Sequence, residues 1–150
     1  MPSVRTARPE DIDTCAGLLE LLFSQEHEFV PDRQKQLSGL DLIIRHPDSG
    51  TVLVCEKDGA IIGMVVLLFI VSTALGKKVA LLEDLVIAPG HRGLGLGSVL
   101  LDAACDHAAG RGLGRITLLT DHDNILAHTL YAKKGFVRSD MVVFRRFFGA

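Results

Sequence analysis

A chain of 150 residues, with 48% hydrophobic and 23% charged side chains, has the size and make-up of one compact domain with its own core. A formal net charge of -2 and an isoelectric point near 6.3 give no electrostatic footing for nucleic acid or an anionic membrane surface. The three isolated cysteines, Cys15, Cys55 and Cys105, form neither a disulfide framework nor a zinc set, and read as small buried thiols of a reducing compartment.

The N-terminal residues MPSVRTARPEDID are polar and lack the apolar stretch of a secretory signal, so a cytoplasmic protein is expected. Residues 3–8 predict a short strand, and Pro9-Glu10-Asp11 a helix entry with acids in its first turn. That helix runs to about Ser24, with Ile12, Cys15, Ala16, Leu19 and Leu22 on one face. A polar loop covers 25–31, and Asp32 caps a second helix reaching about Arg45. His46-Pro47-Asp48-Ser49-Gly50 then breaks the chain. Residues 51–56 and 60–71 predict two strands turned at Lys57-Asp58-Gly59, a hairpin signal. The apolar run over 60–71 is well short of the roughly 20 residues that span a bilayer. Its Ile, Val and Leu content suits a strand buried on both faces.

The next strand, over 78–87, leads into the most specific part of the chain. Residues 81–97 read LLEDLVIAPGHRGLGLG: a buried strand, a sharp turn and a glycine-rich helix start, with an arginine at the junction. Such a junction turns several backbone N–H groups and the positive end of a helix dipole toward one anion. A phosphate-bearing ligand is therefore expected. A P-loop counted from Gly90 would need lysine where Leu96 stands. The dinucleotide fingerprint GxGxxG fails as well, because Gly93, Gly95 and Gly97 are spaced GxGxG and position 98 is serine. Glu83 and Asp84 are acids inside an apolar strand, one expected on each face by alternation, and both carry a desolvation cost that marks them as site candidates.

The glycine-led helix runs over about 95–109 and ends at Gly110-Arg111-Gly112-Leu113-Gly114. A strand over 115–120 follows. Asn124 is placed as a helix N-cap; Ala127, Leu130 and Tyr131 then recur at helical spacing until Gly135. Strands over 136–138 and 141–148 close the chain. Three aromatics in Phe144-Arg145-Arg146-Phe147-Phe148 exceed what one strand face buries, which suits a homodimer interface. Asp121-His122-Asp123 and His128 are metal-ligand types without zinc-like spacing, and no metal is expected.

Two phrases carry a resemblance. Arg92-Gly93-Leu94-Gly95-Leu96-Gly97, after Val86-Ile87-Ala88-Pro89, fits R-x-x-G-x-G. Residues 124–136, NILAHTLYAKKGF, fit N-x-x-A-x-x-L-Y-x-x-x-G-F. With both in this order, the chain resembles the GNAT superfamily of N-acetyltransferases. The resemblance implies an α/β acyl-CoA N-acyltransferase fold as one domain over 1–150. Its mixed sheet would follow the order βααβββαβαββ, with helices on both faces and the fourth and fifth strands splayed apart.

It also implies acetyl-CoA as cosubstrate. The pyrophosphate would lie on Arg92, Gly93, Leu94, Gly95, Leu96, Gly97 and Ser98, and the pantetheine arm along Leu85, Val86 and Ile87. Asn124 and Lys133 complete the cofactor set, Lys133 near the 3′-phosphate. Tyr131, the only tyrosine, stands at the family's general-acid position. Glu83 is the expected base, Asp84 a substrate contact, and a backbone N–H near Val86 the donor to the thioester carbonyl.

The loop holding Gln25, Glu26, His27, Glu28 and Phe29 would meet the acceptor. There Glu26 and Glu28 attract a cationic amine. Two functions follow: acetyl transfer to a primary amine of a small molecule, peptide or protein, or a non-catalytic acyl-CoA-binding module on the same fold.

Overall fold

Runs of Val, Ile and Leu that no helix period explains become strands here, and the stretches with helical spacing cover them. The computed structural model describes residues 1–26 and 28–149, and the chain divides into two units, Met1–Leu119 and Thr120–Ala150. In the first unit β1 (Ser3–Thr6) passes through a 3-10 turn (Pro9–Asp11) into α1 (Ile12–Gln25) and α2 (Arg33–Ile44). Then come β2 (Gly50–Lys57), β3 (Ala60–Ser72), β4 (Lys77–Ile87), α3 (Leu96–Gly110) and β5 (Ile116–Leu118). The second unit contains α4 (Ile125–Lys133). No helix among the described residues is long and apolar enough to cross a membrane.

The sheet is ordered β1-β2-β3-β4-β5; β1 to β4 are antiparallel neighbours and β5 joins β4 in parallel. Both faces of its central strands are covered, as their near-continuous hydrophobicity requires. One face presents Val52, Val54, Met64, Val66 and Val86 to Cys15, Ala16, Leu18 and Leu19 of α1 and Leu40 of α2. The other carries Leu53, Cys55, Val65 and Leu67 beneath α3, whose Leu96, Leu100, Leu101, Ala104 and Ala108 are buried. Asp32 caps α2 by accepting from the Lys35 N–H at 3.3 Å, satisfying one of the amides a helix start leaves unpaired.

One expectation needs correction. Residues 136–138 and 141–148 are not strands, and Val137, Met141, Val142, Phe144, Phe147 and Phe148 are exposed. Apolar spacing supplies the side-chain pattern of a strand, but a strand exists only through a hydrogen-bonded neighbour. Among the described residues, no strand ladder includes them. The fifth strand is also shorter than the 115–120 expected, because its ladder to β4 spans only three pairs, Ala80 to Ile116 through Leu82 to Leu118.

A charged clamp fixes the start of the fold. Asp11 is 7% exposed, and its carboxylate accepts from Arg5 Nη1 at 2.7 Å, from Arg5 Nη2 at 3.1 Å and from the Arg8 N–H at 2.7 Å. Arg5 also reaches Glu56 on β2 at 2.7 Å. The Arg5 guanidinium, ahead of the other causes, holds the Asp11 carboxyl below its ordinary range. A carboxyl depressed on folding stabilises the native state above the unfolded pKa, and that gain is lost as pH falls through the folded value. Arg5→Ala leaves a buried carboxylate without its cation and is expected to cost about 1–3 kcal/mol at neutral pH. The loss should shrink in acid, once Asp11 is protonated in both states. Urea titrations at neutral and acid pH check it.

Burial also silences the thiols. It pushes Cys15 up to about 12 and raises Cys55 above its ordinary value. Cys105 is half-buried.

Candidate active site

The site grows from an irregularity in β4. Antiparallel pairing sets Glu83 opposite Val66 and Val86 opposite Met64. Three residues of β4 therefore advance while two of β3 do, which is a β-bulge at Asp84 and Leu85. Asp84 takes the left-handed conformation, φ 57°, at this point. The bulge breaks the simple alternation of β4 between Glu83 and Val86. Glu83 and Val86, three apart, lie on one face, with Glu83 exposed and Asp84 drawn into a half-buried position.

Asp84 has the strongest electrostatic signature of the junction. Its carboxyl is raised to about 7, first by burial and then by the charges of Glu83 and of Glu26 just beyond α1. The sequence expectation made Glu83 the base and Asp84 a contact; the structure places the first exposed and the second half-buried. Burial and like charge both disfavour the carboxylate, so Asp84 titrates near neutrality.

β4 also outlasts its neighbour. The parallel ladder ends at Leu82 and Leu118, whereas β4 continues to Ile87. Within the first unit, 83–87 have a strand partner on the β3 side alone. Leu85, Val86 and Ile87 thus form an edge without a β5 partner, where the resemblance places the splay of the fourth and fifth strands. Gly63 on β3 permits the close packing behind it. A Cβ there would lie 2.7 Å from Ile87 Cδ1, 3.0 Å from Leu100 Cδ1 and 3.1 Å from the Val86 carbonyl oxygen.

Beyond Ile87 the chain turns through the glycine loop. Gly93 and Gly95 both have φ 78°, and a Cβ on either would meet open space. Glycine is required there for the backbone conformation, not for room. Gly95 is the N-cap of α3 and supplies no side chain; the first intrahelical bond runs from the Val99 N–H to the Gly95 carbonyl at 3.2 Å. The amides of Leu96, Gly97 and Ser98 precede that bond and point out of the helix start. Open strand edge, left-handed turn and uncapped helix start fit an extended ligand that ends in phosphate.

Arg92 holds this loop from below. Its Nε donates to the Ile87 carbonyl at 3.1 Å, and Nη1 and Nη2 donate to the Gln25 amide oxygen at 3.3 and 3.1 Å when that amide faces it. The glycine loop is thereby tied to the end of α1, where Glu26 follows. Gln25 in this role had no signal in the sequence beyond its place in the loop. Glu28 is exposed, Phe29 stacks on Phe23 with centroids 5.6 Å apart, and His27 lies outside the described residues.

The second unit places Tyr131 on α4. Asn124 caps the helix by accepting from the Ala127 N–H at 3.2 Å, so its side chain serves the fold. Tyr131 is half-buried, its ring tilted at 59° and 6.0 Å from that of Phe136, and burial raises its phenol above the ordinary value. Lys133 is exposed in the last turn. His128 Nε2 sits 2.9 Å from the Asp121 carbonyl oxygen, a loop-closing contact. No group of three metal-ligand side chains converges among the described residues.

A family model described as Acetyltransferase (GNAT) family matches residues 15–136. An uncharacterized N-acetyltransferase, YhfO, of Bacillus subtilis (strain 168) is 31% identical over 137 residues, 89% of each chain. Streptothricin acetyltransferase of Streptomyces lavendulae is 36% identical over 89 residues, which is 59% of this chain and 45% of that protein. Among solved structures, a predicted acetyltransferase with acetyl-CoA from Clostridium acetobutylicum has the same fold, with a TM-score of 0.79 at 19% identity over 97% of this chain and 96% of the other.

Proposed function

The chain belongs to the acetyltransferase (GNAT) family, and from that premise we propose that it moves an acetyl group from acetyl-CoA to a primary amine in a ternary complex. The observation that carries this reading is the continuous junction over 82–98. A strand edge without a β5 partner passes through a left-handed glycine turn into an uncapped helix start. The edge suits an amide-bearing arm, and the helix start suits a pyrophosphate. Acetyl-CoA supplies an activated thioester when bound.

The chain's own residues then have separate tasks. Backbone N–H groups of Leu96, Gly97 and Ser98 hold phosphate, and one near Val86 stabilises the oxyanion. A β4 carboxylate takes the proton that the incoming amine must lose, and Tyr131 gives one to the departing thiolate. Acids at the bulge and beyond α1, Glu83, Asp84 and Glu26, favour a cationic acceptor.

Release of the CoA thiol is to be followed against polyamines, amino acids, aminoglycosides, N-terminal peptides and streptothricin. The last joins the panel because a relative is named for it. Thiol release with at least one amine is expected. Acetyl-CoA at 100 times its Kd should also stabilise the fold by roughly 2.7 kcal/mol, seen as a melting shift. Stabilisation with no release for any amine would instead identify an acyl-CoA-binding module.

A further inference from the structure

Two acids adjoin at the β4 bulge, and their surroundings differ in a way that bears on chemistry. Glu83 pairs across from Val66 in regular register and is exposed. Asp84 is at the bulge, left-handed at φ 57°, and is half-buried. A non-glycine residue in that conformation is uncommon, and Asp is among the few types that tolerate it. Among the described residues, the charged groups that bear on it are Glu83 from its own strand and Glu26 from the end of α1, both negative.

We propose that Asp84, not Glu83, is the catalytic base, and that it takes its proton from an acceptor that arrives as an ammonium ion. This rests on the acetyl-transfer reading above. One N–H proton passes to the Asp84 carboxylate and frees the nitrogen lone pair. The C–N bond forms at the thioester carbonyl and the C–S bond breaks. The sulfur takes a proton from the acid assigned to Tyr131, and the second proton leaving nitrogen restores that phenol. The proton on Asp84 returns to water, so each turnover releases one.

The surroundings suit that task. A carboxyl raised to about 7 is both substantially ionised and appreciably basic at neutral pH, which an ordinary exposed carboxylate is not. An arriving ammonium would also be drawn to the negative charges of Glu83 and Glu26.

The test compares Asp84→Asn with Glu83→Gln in the whole chain. Asn is well suited to the left-handed position, so the backbone is kept. In the wild type, kcat/KM should rise with pH through a midpoint of about 7. Asp84→Asn should remove that limb and lower kcat by roughly 100-fold or more, with acetyl-CoA affinity unchanged. Glu83→Gln should keep the limb and lose less than about tenfold.

A second readout does not depend on turnover. A carboxyl raised on folding contributes stability below the unfolded pKa and loses it as pH rises through the folded one. The melting temperature of Asp84→Asn should therefore gain on the wild type as pH is raised from 5 to about 8.5. An active Asp84→Asn enzyme with its acid limb intact would overturn the assignment, as would a melting gap that does not grow with pH. A Glu83→Gln variant that alone loses the limb would return the role to Glu83. A wild-type protein that releases no thiol with any amine would instead overturn the acetyl-transfer reading, and the assignment with it.

Discussion

Tyr131→Phe is expected to lower kcat by roughly 10²- to 10⁴-fold, the usual contribution of a positioned general acid. Acetyl-CoA affinity should stay within about threefold, because the substitution removes one oxygen and no packing. The ring remains on α4 at the same contact with Phe136, and the helix keeps its Asn124 cap. Burial raises the phenol, so it is fully protonated at neutral pH. It also makes the phenol a weaker acid than a thiol, whose ordinary pKa is about 8.5. The proton therefore moves only as the C–S bond breaks and negative charge collects on sulfur. Steady-state turnover beside calorimetric acetyl-CoA binding separates the two effects. Unchanged turnover would remove Tyr131 from the mechanism.

The glycine loop should show the opposite separation, in which affinity is lost before chemistry. Gly93→Ala combined with Gly95→Ala places two Cβ atoms at φ 78° in open space. Nothing clashes, so the whole cost is conformational, about 1–2 kcal/mol per residue. If the loop carries that strain only when it is shaped for phosphate, acetyl-CoA affinity falls by roughly 30- to 1000-fold. Gly110→Ala is the control: it lies at the far end of α3, outside the left-handed region, also with open space around a Cβ. It should leave affinity unchanged. Equal losses in the double variant and the control would show that the left-handed turn has no part in holding the ligand.

Much of the first unit was legible because its signals are local. Asp32 reads as a cap and is one, the 60–71 run reads as a two-faced strand and lies at the sheet's centre, and the glycine loop ends where α3 begins. The bulge was not legible. Alternation places Glu83 and Asp84 on opposite faces, and a register shift between β3 and β4 is decided by two distant segments at once. The motif places Arg92 in the loop expected to hold phosphate, but its contacts to the Ile87 carbonyl and the end of α1 carry no sequence signal. The apolar stretch after Gly135 shows the reverse failure, a good strand pattern that joins no ladder among the described residues.

The two silent thiols offer a way to watch the molecule open. Cys15 is sealed between α1 and one face of the sheet, while Cys55 faces the other way, across from Gly63 beneath α3. Each reacts with a thiol-specific label only when its own layer parts, because the native thiol is both shielded and held protonated. Labelling rates at the two positions therefore time the two layers independently. Equal rates would mean that the sheet sheds both coverings in one cooperative event. A faster Cys55 would mean that α3, whose first turn forms the proposed phosphate cradle, lifts away before the rest of the fold gives way.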